Sequence, residues 1–516
     1  MFDFYKGMDI SFLPQCLDEG MQISDRDGSS TTPFELLKKY GVNAVRLRIW
    51  NDPHQVPEAK GYCDLEHTVQ MARKIREYGM SFLLDFHYSD HWADPAKQRK
   101  PKAWENLSFP ELEKAVYTFT RDTLMRLKEE GLLPDMVQIG NEIRSGLLFP
   151  EGELPDYAGM VKLVNAGIRG ARAAADADTM KVMIHLDQGG RYDWLHEWFE
   201  RSFEAGLQDF DLIGLSYYPF WHGTYQDLQD SMNRLLQDYG KPIFIVETAY
   251  AWRKSDRGFI DDDQIRIGCV DATPPGQRRV LEYVMHIVAK LPDKMGMGVY
   301  YWEPLCVPGA DEGGWSENMG LLDEEGRVME GMEAFRQTRE QMEQEPEGWS
   351  RLKERLKSSF RAAGQDTVRG DNLLPNGNFA EGTDGMAHWC IEEKSDGVTF
   401  EVLPQMSCLR VQASKNFCFV ISNSIILNKS GSYGISVEIT GVDTTGVEVR
   451  LFAENGGNVR ETVIHPTEHS REVYEIRNMV CIEGQLKVGI RISSPAIYVT
   501  MGNFRVIKEI DLGGQI

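Results

Sequence analysis

Apolar and polar positions follow a repeated pattern over the first ~340 residues, where short runs rich in Val, Ile and Phe alternate with longer amphipathic segments. Eight such runs occur, at residues 5–10, 44–49, 81–86, 136–139, 181–185, 212–215, 243–246 and 298–301. Successive runs start about 30–55 residues apart, which leaves room for a crossover helix and its loops each time. Eight strand–helix units predict an α/β fold, a parallel (β/α)8 TIM barrel.

A doubly wound open sheet is the alternative arrangement for alternating strands and helices. The barrel is favoured because no glycine-rich phosphate-binding fingerprint follows the first run. The runs also end in chemically capable residues, and the strand ends of a barrel meet at one face, where active sites lie. Helices are predicted between the runs, for example at 65–78, which ends before Gly79, and at 111–130, between Pro110 and Gly131.

The pattern changes twice after the last run and indicates three regions, at 1–342, 343–371 and 372–516. The middle region is charged, and Trp349, Leu352, Leu356 and Phe360 form one helical stripe in it, so a helical linker with one docking face is predicted. The last region has short alternating segments separated by Gly, Asn and Asp turns, for example at 433–439, 447–452, 472–477 and 486–492. This texture predicts a small all-β domain, a jelly roll or sandwich.

Charge and composition narrow the classes of partner and compartment. The chain of 516 residues carries a net charge of −23, which argues against nucleic acid and anionic membranes as partners. The chain contains no run of ~18 apolar residues, so no transmembrane helix is predicted. The first residues lack the features of a signal peptide, so a cytoplasmic location is expected, or a secreted one if a signal was removed before this numbering. The eight cysteines form no CxxC pair and read as buried small hydrophobes.

Two glutamates stand just past predicted strands and carry the clearest chemical signal. Glu142 follows Asn141 in MVQIGNE, and Glu247 ends IFIVE. Converging strand ends would bring both carboxyl groups into one cleft, which is what glycoside hydrolysis requires. A single glutamate of this kind is more often an ordinary ion-paired residue, but two at the fourth and seventh strands favour a catalytic pair.

The other strand ends fit the same chemistry. Strand 2 places Arg46 and Arg48 on one face, and a buried arginine there needs an acidic partner such as a nucleophilic carboxylate. Further strand ends supply aromatic rings, carboxylates and histidines, which suit a carbohydrate: Asp85, His87, Asp90, Trp92, His185, Asp187, Tyr217, Tyr218, Trp302 and Glu303.

Metal catalysis is an alternative, because His87, Asp90 and His91 are clustered in sequence. However, no HExxH-like spacing is present, so no catalytic metal is expected. The run Asp261, Asp262 and Asp263 has the chemistry of a calcium ligand set but is more typical of a solvated loop.

Several segments together resemble glycoside hydrolase family 53, the endo-β-1,4-galactanases: GMDISFLP, VNAVRLRIWNDP, LLDFHYSDHWADPAKQRKPKAW, VQIGNE, LSYYPFWHG, IVETAY and YYWEP. The resemblance spans residues 1 to ~340 in order. It implies a barrel enzyme that cleaves β-1,4-galactan or galacto-oligosaccharides with retention of configuration and without a required cofactor. Some family members bind calcium between the loops after strands 7 and 8, so the resemblance leaves open whether this chain binds a structural calcium ion.

The resemblance also implies residue roles. Glu142 would be the acid/base and Glu247 the nucleophile, with a carboxyl separation of ~5–5.5 Å. Asn141 would contact the 2-hydroxyl of the sugar at the cleavage position. Arg46, or alternatively Arg48, would orient the nucleophile together with Tyr217. The remaining residues would contact sugar on the glycone side: His87, Trp92, Asp187 and Trp302. The segment NLLPNGNFAEG resembles the first strand of galactose-binding-like jelly rolls, which implies a carbohydrate-binding module.

Two other functions remain open on the sequence alone. Mannanases, cellulases and β-galactosidases share the Asn-Glu and Glu strand-end pattern, so another β-glycan is an alternative substrate. A carbohydrate-binding protein with an inactive barrel is the second alternative. Loss of activity would normally replace one of the two glutamates, and both are present.

Overall fold

The computed structural model describes residues 2–208, 210–260, 264–265, 268–307, 314–349, 373–375, 386–395, 398–403, 408–413, 417–427, 431–441, 448–464, 471–481, 483–494 and 498–508. Contacts divide the chain into two compact units, Met1–Leu356 and Lys357–Ile516. Among the helices of the described residues, none combines the length and apolarity that a membrane crossing requires.

The first unit is a closed barrel of eight parallel strands in sequence order, and the TIM-barrel prediction is confirmed. The strands are β1 Tyr5–Asp9, β2 Ala44–Ile49, β3 Ser81–Phe86, β4 Met136–Ile139, β5 Lys181–Leu186, β6 Leu212–Ser216, β7 Ile243–Thr248 and β8 Gly296–Trp302. The helices are α1 Leu13–Asp18, α2 Pro33–Lys39, α3 Leu65–Glu77, α4 Phe109–Glu129, α5 Tyr157–Ala174, α6 Tyr192–Glu204, α7 Tyr225–Tyr239, α8 Pro274–Ala289, α9 Trp315–Asn318 and α10 Arg339–Glu343.

Local chemistry sets where the helices begin. Helix α4 starts at a reciprocal cap, in which Ser108 and Glu111 each satisfy a backbone N–H of the other. Helix α7 starts at the same kind of cap, between Thr224 and Asp227. These caps fix the loops that lead from the strand ends into the helices, and the loops carry the site.

The interior of the barrel is built in two layers, because alternate residues of a strand face inward. The lower layer is apolar and belongs to one buried cluster that includes Ala44, Leu83, Met136, Met183 and Leu212. The upper layer is polar and lies two residues further along the same strands: Arg46, Asp85, Gln138 and His185, with Ser216 four residues beyond Leu212. The apolar layer supplies packing, and the polar layer lies beneath the carboxyl ends of the strands.

Strand β7 carries an irregularity that matters for the site. Its register against β6 shifts between Leu215 and Ser216, so that Ile245 pairs with Leu215 but Glu247 pairs with Ser216. The extra residue, Val246, joins the apolar interior cluster. A bulge of this kind reverses the alternation of faces, which directs Glu247 inward as well.

The second unit contains two five-stranded antiparallel sheets, in the orders β10-β11-β18-β13-β16 and β15-β14-β17-β12-β9. The strands are β9 Trp389–Lys394, β10 Val398–Leu403, β11 Cys408–Ala413, β12 Phe417–Leu427, β13 Gly431–Gly441, β14 Glu448–Asn455, β15 Asn458–Ile464, β16 Arg471–Cys481, β17 Gly484–Ser494 and β18 Tyr498–Lys508. Side chains of both sheets share one buried apolar cluster, so the predicted small β-sandwich is confirmed. Its carbohydrate-binding role stays a prediction.

Two further expectations concern the linker and the cysteines. Helix α10 ends at Glu343, and the ring of Trp349 packs 5.2 Å from that of Tyr283 in the barrel unit. The rest of the predicted linker stripe, Leu352, Leu356 and Phe360, lies outside the described residues. Among the cysteines whose side chains the structure describes, Cys390 is exposed and the others are buried: Cys16, Cys63, Cys269, Cys306 and Cys481.

Candidate active site

Arg46 lies at the centre of the polar layer, and side chains from four other strands or strand ends surround its buried guanidinium. The donor–acceptor distances are 2.8 Å to Asp9 Oδ2, Asp85 Oδ2, Asn141 Oδ1 and Glu247 Oε1, and 3.2 Å to Gln138 Oε1. Because three of the partners are carboxylates, this cation compensates charges that would otherwise be buried without a partner.

The carboxylate of Glu247 is held by donors on both oxygens. Arg46 Nη1 lies 2.8 Å from Oε1, and the hydroxyl of Tyr218 donates to Oε2 at 3.3 Å. Burial raises the pKa of Glu247 to about 7, while the adjacent Arg46 cation opposes that rise. Fixed donors on both oxygens orient the carboxylate and favour its ionised form against the effect of burial.

Glu142 sits in a sharp turn directly after β4. Its backbone is left-handed, with φ of 48°, and it precedes a short 3₁₀ turn at Ile143–Ser145. Gly140 starts this turn with φ of +80°, and a Cβ there would lie 2.5 Å from Ile143 Cγ2, so only glycine fits. The hydroxyl of Ser216 donates to Glu142 Oε1 at 2.5 Å.

The two carboxyl groups differ in their tendency to hold a proton. Burial raises the pKa of Glu142 well above its ordinary value, and the negative charge of Glu247 raises it further. The hydrogen bond from Ser216, a neutral donor, opposes the rise at Glu142, whereas the Arg46 cation opposes it at Glu247. The shared proton therefore belongs on Glu142 and the negative charge on Glu247, which is the division of roles between a general acid and a nucleophile.

Asn141 and His87 are both buried beside this pair. The Asn141 amide donates to Ala93 O at 2.8 Å while its oxygen accepts from Arg46. His87 Nδ1 accepts from the backbone of Ala93 at 3.1 Å, and His87 Nε2 lies 3.0 Å from Asp85 Oδ2. Both residues thus fix the loop after β3 against the polar layer.

Aromatic rings line the opening between β2, β3 and β8. Trp92 and Trp302 are both partly exposed, and their ring centroids lie 5.7 Å apart. Trp302 also meets Trp315 edge-on at 4.3 Å. The guanidinium of Arg48 lies 4.2 Å from the Trp92 centroid, and this cation–π contact helps to fix the ring.

The aromatic surface continues beyond the rings that the sequence pattern singled out. Phe259 lies 5.0 Å from Trp315, and Trp221 lies 5.5 Å from Phe259. Trp221 is 41% exposed and Phe259 37% exposed. Exposed aromatic faces beside a polar cleft are suited to stacking on sugar rings.

Two predicted site residues are already bound by the protein itself. The oxygens of Asp90 accept from the backbone N–H groups of Asp52 at 2.9 Å and Lys102 at 2.8 Å, so Asp90 fixes two loops, and its contact with sugar stays a prediction. Asp187 lies at the end of β5 and pairs with Arg144 Nε at 2.8 Å. The negative charge of Asp187 also contributes to the raised pKa of Glu142, which places it beside the acid.

The prediction that Tyr217 orients the nucleophile is wrong, because its neighbour Tyr218 makes that contact. Tyr217 directs its hydroxyl to Gly223 O at 3.0 Å, whereas the Tyr218 hydroxyl donates to Glu247. Strand β6 ends at Ser216, beyond the register shift, so strand alternation no longer decides which tyrosine faces inward. The alternative orienting residue, Arg48, pairs instead with Glu303.

The two tyrosines provide a matched test of this correction. Tyr218→Phe should lower kcat by about 10–100-fold, because a hydrogen bond to a charged group contributes roughly 1.5–3 kcal/mol. Tyr217→Phe should leave kcat within about threefold, because its hydroxyl binds only a loop carbonyl. Steady-state kinetics on both purified variants measures this, and a larger loss in Tyr217→Phe would reverse the assignment.

Three residues of the site carry little signal in the sequence. Asp9, Gln138 and Ser216 lie within segments that resemble the family, but the sequence analysis assigned a role to none of them. Their common feature is position, since Gln138 and Ser216 face the same interior as the apolar layer below them. Counting in steps of two from that layer would have selected them.

Within the described ranges no group of three or more His, Cys, Asp or Glu side chains is arranged to hold a metal ion. The candidate calcium ligands Asp261, Asp262 and Asp263 lie outside the described residues.

Comparison with known proteins gives one family and several relatives. The family model described as glycosyl hydrolase family 53 matches residues 5–335. An uncharacterised protein in the bgaB 5′ region of Niallia circulans is 41% identical over 355 residues, which is 64% of this chain and 93% of the relative. The endo-beta-1,4-galactanase of Bacillus subtilis is 35% identical over 316 residues, or 59% of this chain and 71% of the relative. A solved GH53 catalytic domain from Ignisphaera aggregans is 36% identical, with a TM-score of 0.60, and the match covers 65% of this chain and 96% of that domain.

Proposed function

The chain belongs to glycosyl hydrolase family 53, and on that premise we propose that it cleaves β-1,4-linked galactan or galacto-oligosaccharides with retention of anomeric configuration. The single observation that carries the proposal is the unequal pair Glu142 and Glu247. One is partly exposed and kept protonated by its surroundings, and the other is fixed as an anion by Arg46 and Tyr218.

The first chemical step forms a covalent glycosyl-enzyme. A Glu247 oxygen attacks the anomeric carbon, and the glycosidic C–O bond breaks with its electron pair going to the leaving oxygen. That oxygen takes the proton of Glu142. Loss of this proton is favoured as the reaction proceeds, because ester formation removes the Glu247 charge that raised the pKa of Glu142.

The second step releases the sugar. Glu142, now a carboxylate, accepts a proton from water while the water oxygen attacks the anomeric carbon from the face opposite Glu247. The bond to Glu247 breaks, its charge returns, and the proton on Glu142 restores the resting state. Both steps use only the two carboxyl groups and water, so the reaction requires no cofactor.

The substrate class rests on the relatives and on the surface of the cleft. Curated relatives that match the barrel are named endo-beta-1,4-galactanases, among them the B. subtilis enzyme. The partly exposed rings of Trp92, Trp302, Trp221 and Phe259 offer stacking faces for an apolar side of a sugar chain. The net charge of −23 suits a neutral polysaccharide better than a polyanion.

The test is product release from linear β-1,4-galactan and from galactotetraose, with Glu142→Gln and Glu247→Gln as matched isosteric controls. Wild type should cleave both substrates, and proton NMR of the first product should show the β-anomer before mutarotation. Cleavage of mannan or β-glucan in place of galactan would contradict the substrate class and keep the mechanism. Inactivity on every β-glycan tested would favour the non-catalytic sugar-binding alternative.

A further inference from the structure

A chain of hydrogen bonds links the central arginine to the acid/base through three residues, Gln138, His185 and Ser216. Arg46 Nε donates to Gln138 Oε1 at 3.2 Å, and Gln138 Nε2 contacts Asp85 Oδ1 and His185 Nδ1, both at 2.8 Å. His185 Nε2 lies 2.8 Å from Ser216 Oγ, which in turn lies 2.5 Å from Glu142 Oε1.

In the first hydrogen bonds of this chain, the chemical groups themselves decide which atom donates and which accepts. An arginine nitrogen only donates, so the Gln138 oxygen must face Arg46. The Gln138 amide nitrogen then faces the Asp85 carboxylate, which only accepts. Flipping this amide would place nitrogen against the Arg46 donor and oxygen against a carboxylate, so the observed orientation is the one that satisfies both neighbours.

The orientation of Gln138 decides the tautomer of His185. Burial lowers the pKa of His185 well below its ordinary value, so the ring is neutral and carries one N–H. Two donors face Nδ1, namely the Gln138 amide at 2.8 Å and the backbone N–H of Glu142 at 3.4 Å. The single proton therefore belongs on Nε2, where it is donated to Ser216 Oγ.

The opposite tautomer would place the proton on Nδ1 and donate it to Asn141 Oδ1, 3.0 Å away. That oxygen already accepts from Arg46 at 2.8 Å. The opposite tautomer would also set the imidazole N–H against an amide N–H of Gln138. The arrangement that satisfies the most donors therefore has each residue donating to the next, from Arg46 through Gln138 and His185 to Ser216.

We propose that His185 and Ser216 are positioning residues that keep the catalytic proton on Oε2 of Glu142. With His185 donating to Ser216 Oγ, the serine hydroxyl has its own proton to give, and Glu142 Oε1 receives it. In a carboxylic acid the carbonyl oxygen is a better acceptor than the hydroxyl oxygen, so a hydrogen bond donated to Oε1 favours Oε1 as the carbonyl oxygen and Oε2 as the oxygen that carries the proton. The acid proton is therefore held preferentially on Oε2, which makes no hydrogen bond within the described residues. The inference rests on the proposed function, because it assumes that Glu142 acts as the acid/base.

The same hydroxyl has a second effect once the proton has left. Ser216 then donates to a full carboxylate, and such charge-assisted bonds are stronger than neutral ones. It stabilises the ionised form of Glu142 against two effects that oppose ionisation, burial and the charge of Glu247. The other charged or titratable groups that act on or lie beside this carboxyl group are Asp94, Asp187, His185, Tyr218 and Arg46.

The test compares wild type, Ser216→Ala and His185→Gln over a pH range, with Ser202→Ala as control. Ser202 is also fully buried, but it lies on α6 and makes no contact with Glu142. The alkaline limb of kcat/KM reports the ionisation of the acid in the free enzyme. Removing a donor to the carboxylate raises the pKa of Glu142, so Ser216→Ala should move that limb to higher pH.

The leaving group separates a positioning role from general damage to the fold. Galactotetraose needs protonation of its leaving oxygen, so Ser216→Ala should lower kcat/KM on it by roughly 10–100-fold. A 2,4-dinitrophenyl β-galacto-oligosaccharide leaves without a proton, and its kcat/KM should change by less than about threefold. His185→Gln should follow Ser216→Ala in both respects, because it removes the ring that orients the hydroxyl.

The outcomes are distinguishable. In Ser216→Ala, an alkaline limb that moves to lower pH would mean that the serine accepts from Glu142, and one that stays in place would mean that the serine does not affect the ionisation of Glu142. Either result would overturn the inference. Equal losses on both substrates would overturn it as well, because they indicate misfolding or a purely structural role. A wild-type enzyme that leaves galactotetraose intact would instead overturn the proposed function and this inference together.

Discussion

Replacing Glu247 by alanine should lower kcat on galactan by about 10⁴-fold or more, because no other group can form the covalent intermediate. Replacing Glu142 by alanine should cost about 10²–10⁴-fold, the range expected for loss of a general acid/base. The larger effect is expected at Glu247, since a displacement without a nucleophile has no alternative route in this cleft.

Azide rescue distinguishes the two roles by stereochemistry. In Glu247→Ala, azide can enter the space left by the nucleophile and displace the activated leaving group of a dinitrophenyl substrate, which gives an α-glycosyl azide. In Glu142→Ala, azide should instead attack the covalent intermediate and give a β-glycosyl azide. Identical anomers from the two variants, determined by proton NMR, would contradict the assignment of nucleophile and acid/base.

Replacing Arg46 by alanine should destabilise the barrel and inactivate it together. Three buried carboxylates, Asp9, Asp85 and Glu247, would lose their common cation. Breaking a buried ion pair from one side typically costs about 3–5 kcal/mol of folding free energy. Chemical denaturation followed by fluorescence measures the free energy of unfolding of Arg46→Ala and of wild type, and the difference gives this loss.

Arg46→Lys separates charge from geometry at the same position. A lysine keeps the positive charge but cannot present the planar fork that now reaches five oxygens. The Arg46 cation lowers the pKa of Glu247, so a weaker contact should raise it and move the acidic limb of kcat/KM to higher pH. Arg48→Lys is the matched control, since that arginine pairs with Glu303 and should leave the acidic limb where it is. An unchanged acidic limb in Arg46→Lys would contradict the orienting role.

The sequence predicts the barrel well because its signal is repeated eight times. Strands β2, β3 and β4 match the predicted runs; β1, β5, β6 and β7 differ by one or two residues at one end, and β8 is longer by two residues at its start and one at its end. Glu142 and Glu247 could be selected because each follows an apolar run near the carboxyl end of a strand, where active-site residues of a barrel lie.

The finer contacts could not be predicted for a physical reason, which is that strand alternation fails at irregularities. Simple alternation from Phe244 would turn Glu247 outward, and the bulge at Val246 turns it inward. The same register shift lies just before Tyr217 and Tyr218, so nothing in the sequence distinguishes two adjacent tyrosines. The loop-fixing role of Asp90 depends on backbone N–H groups distant in sequence, which side-chain patterns do not reveal.

The two interior layers also determine where this protein tolerates change. The side chains of Ala44, Leu83, Met136 and Met183 contact one another below the charged network, so volume-conserving exchanges among them alter packing without displacing a donor or acceptor. In the polar layer, a replacement also disturbs a partner that several other residues share, as the contacts of Arg46 show. Mutational libraries for heat resistance therefore belong in the lower layer, and libraries for new linkage preference in the loops above the upper one.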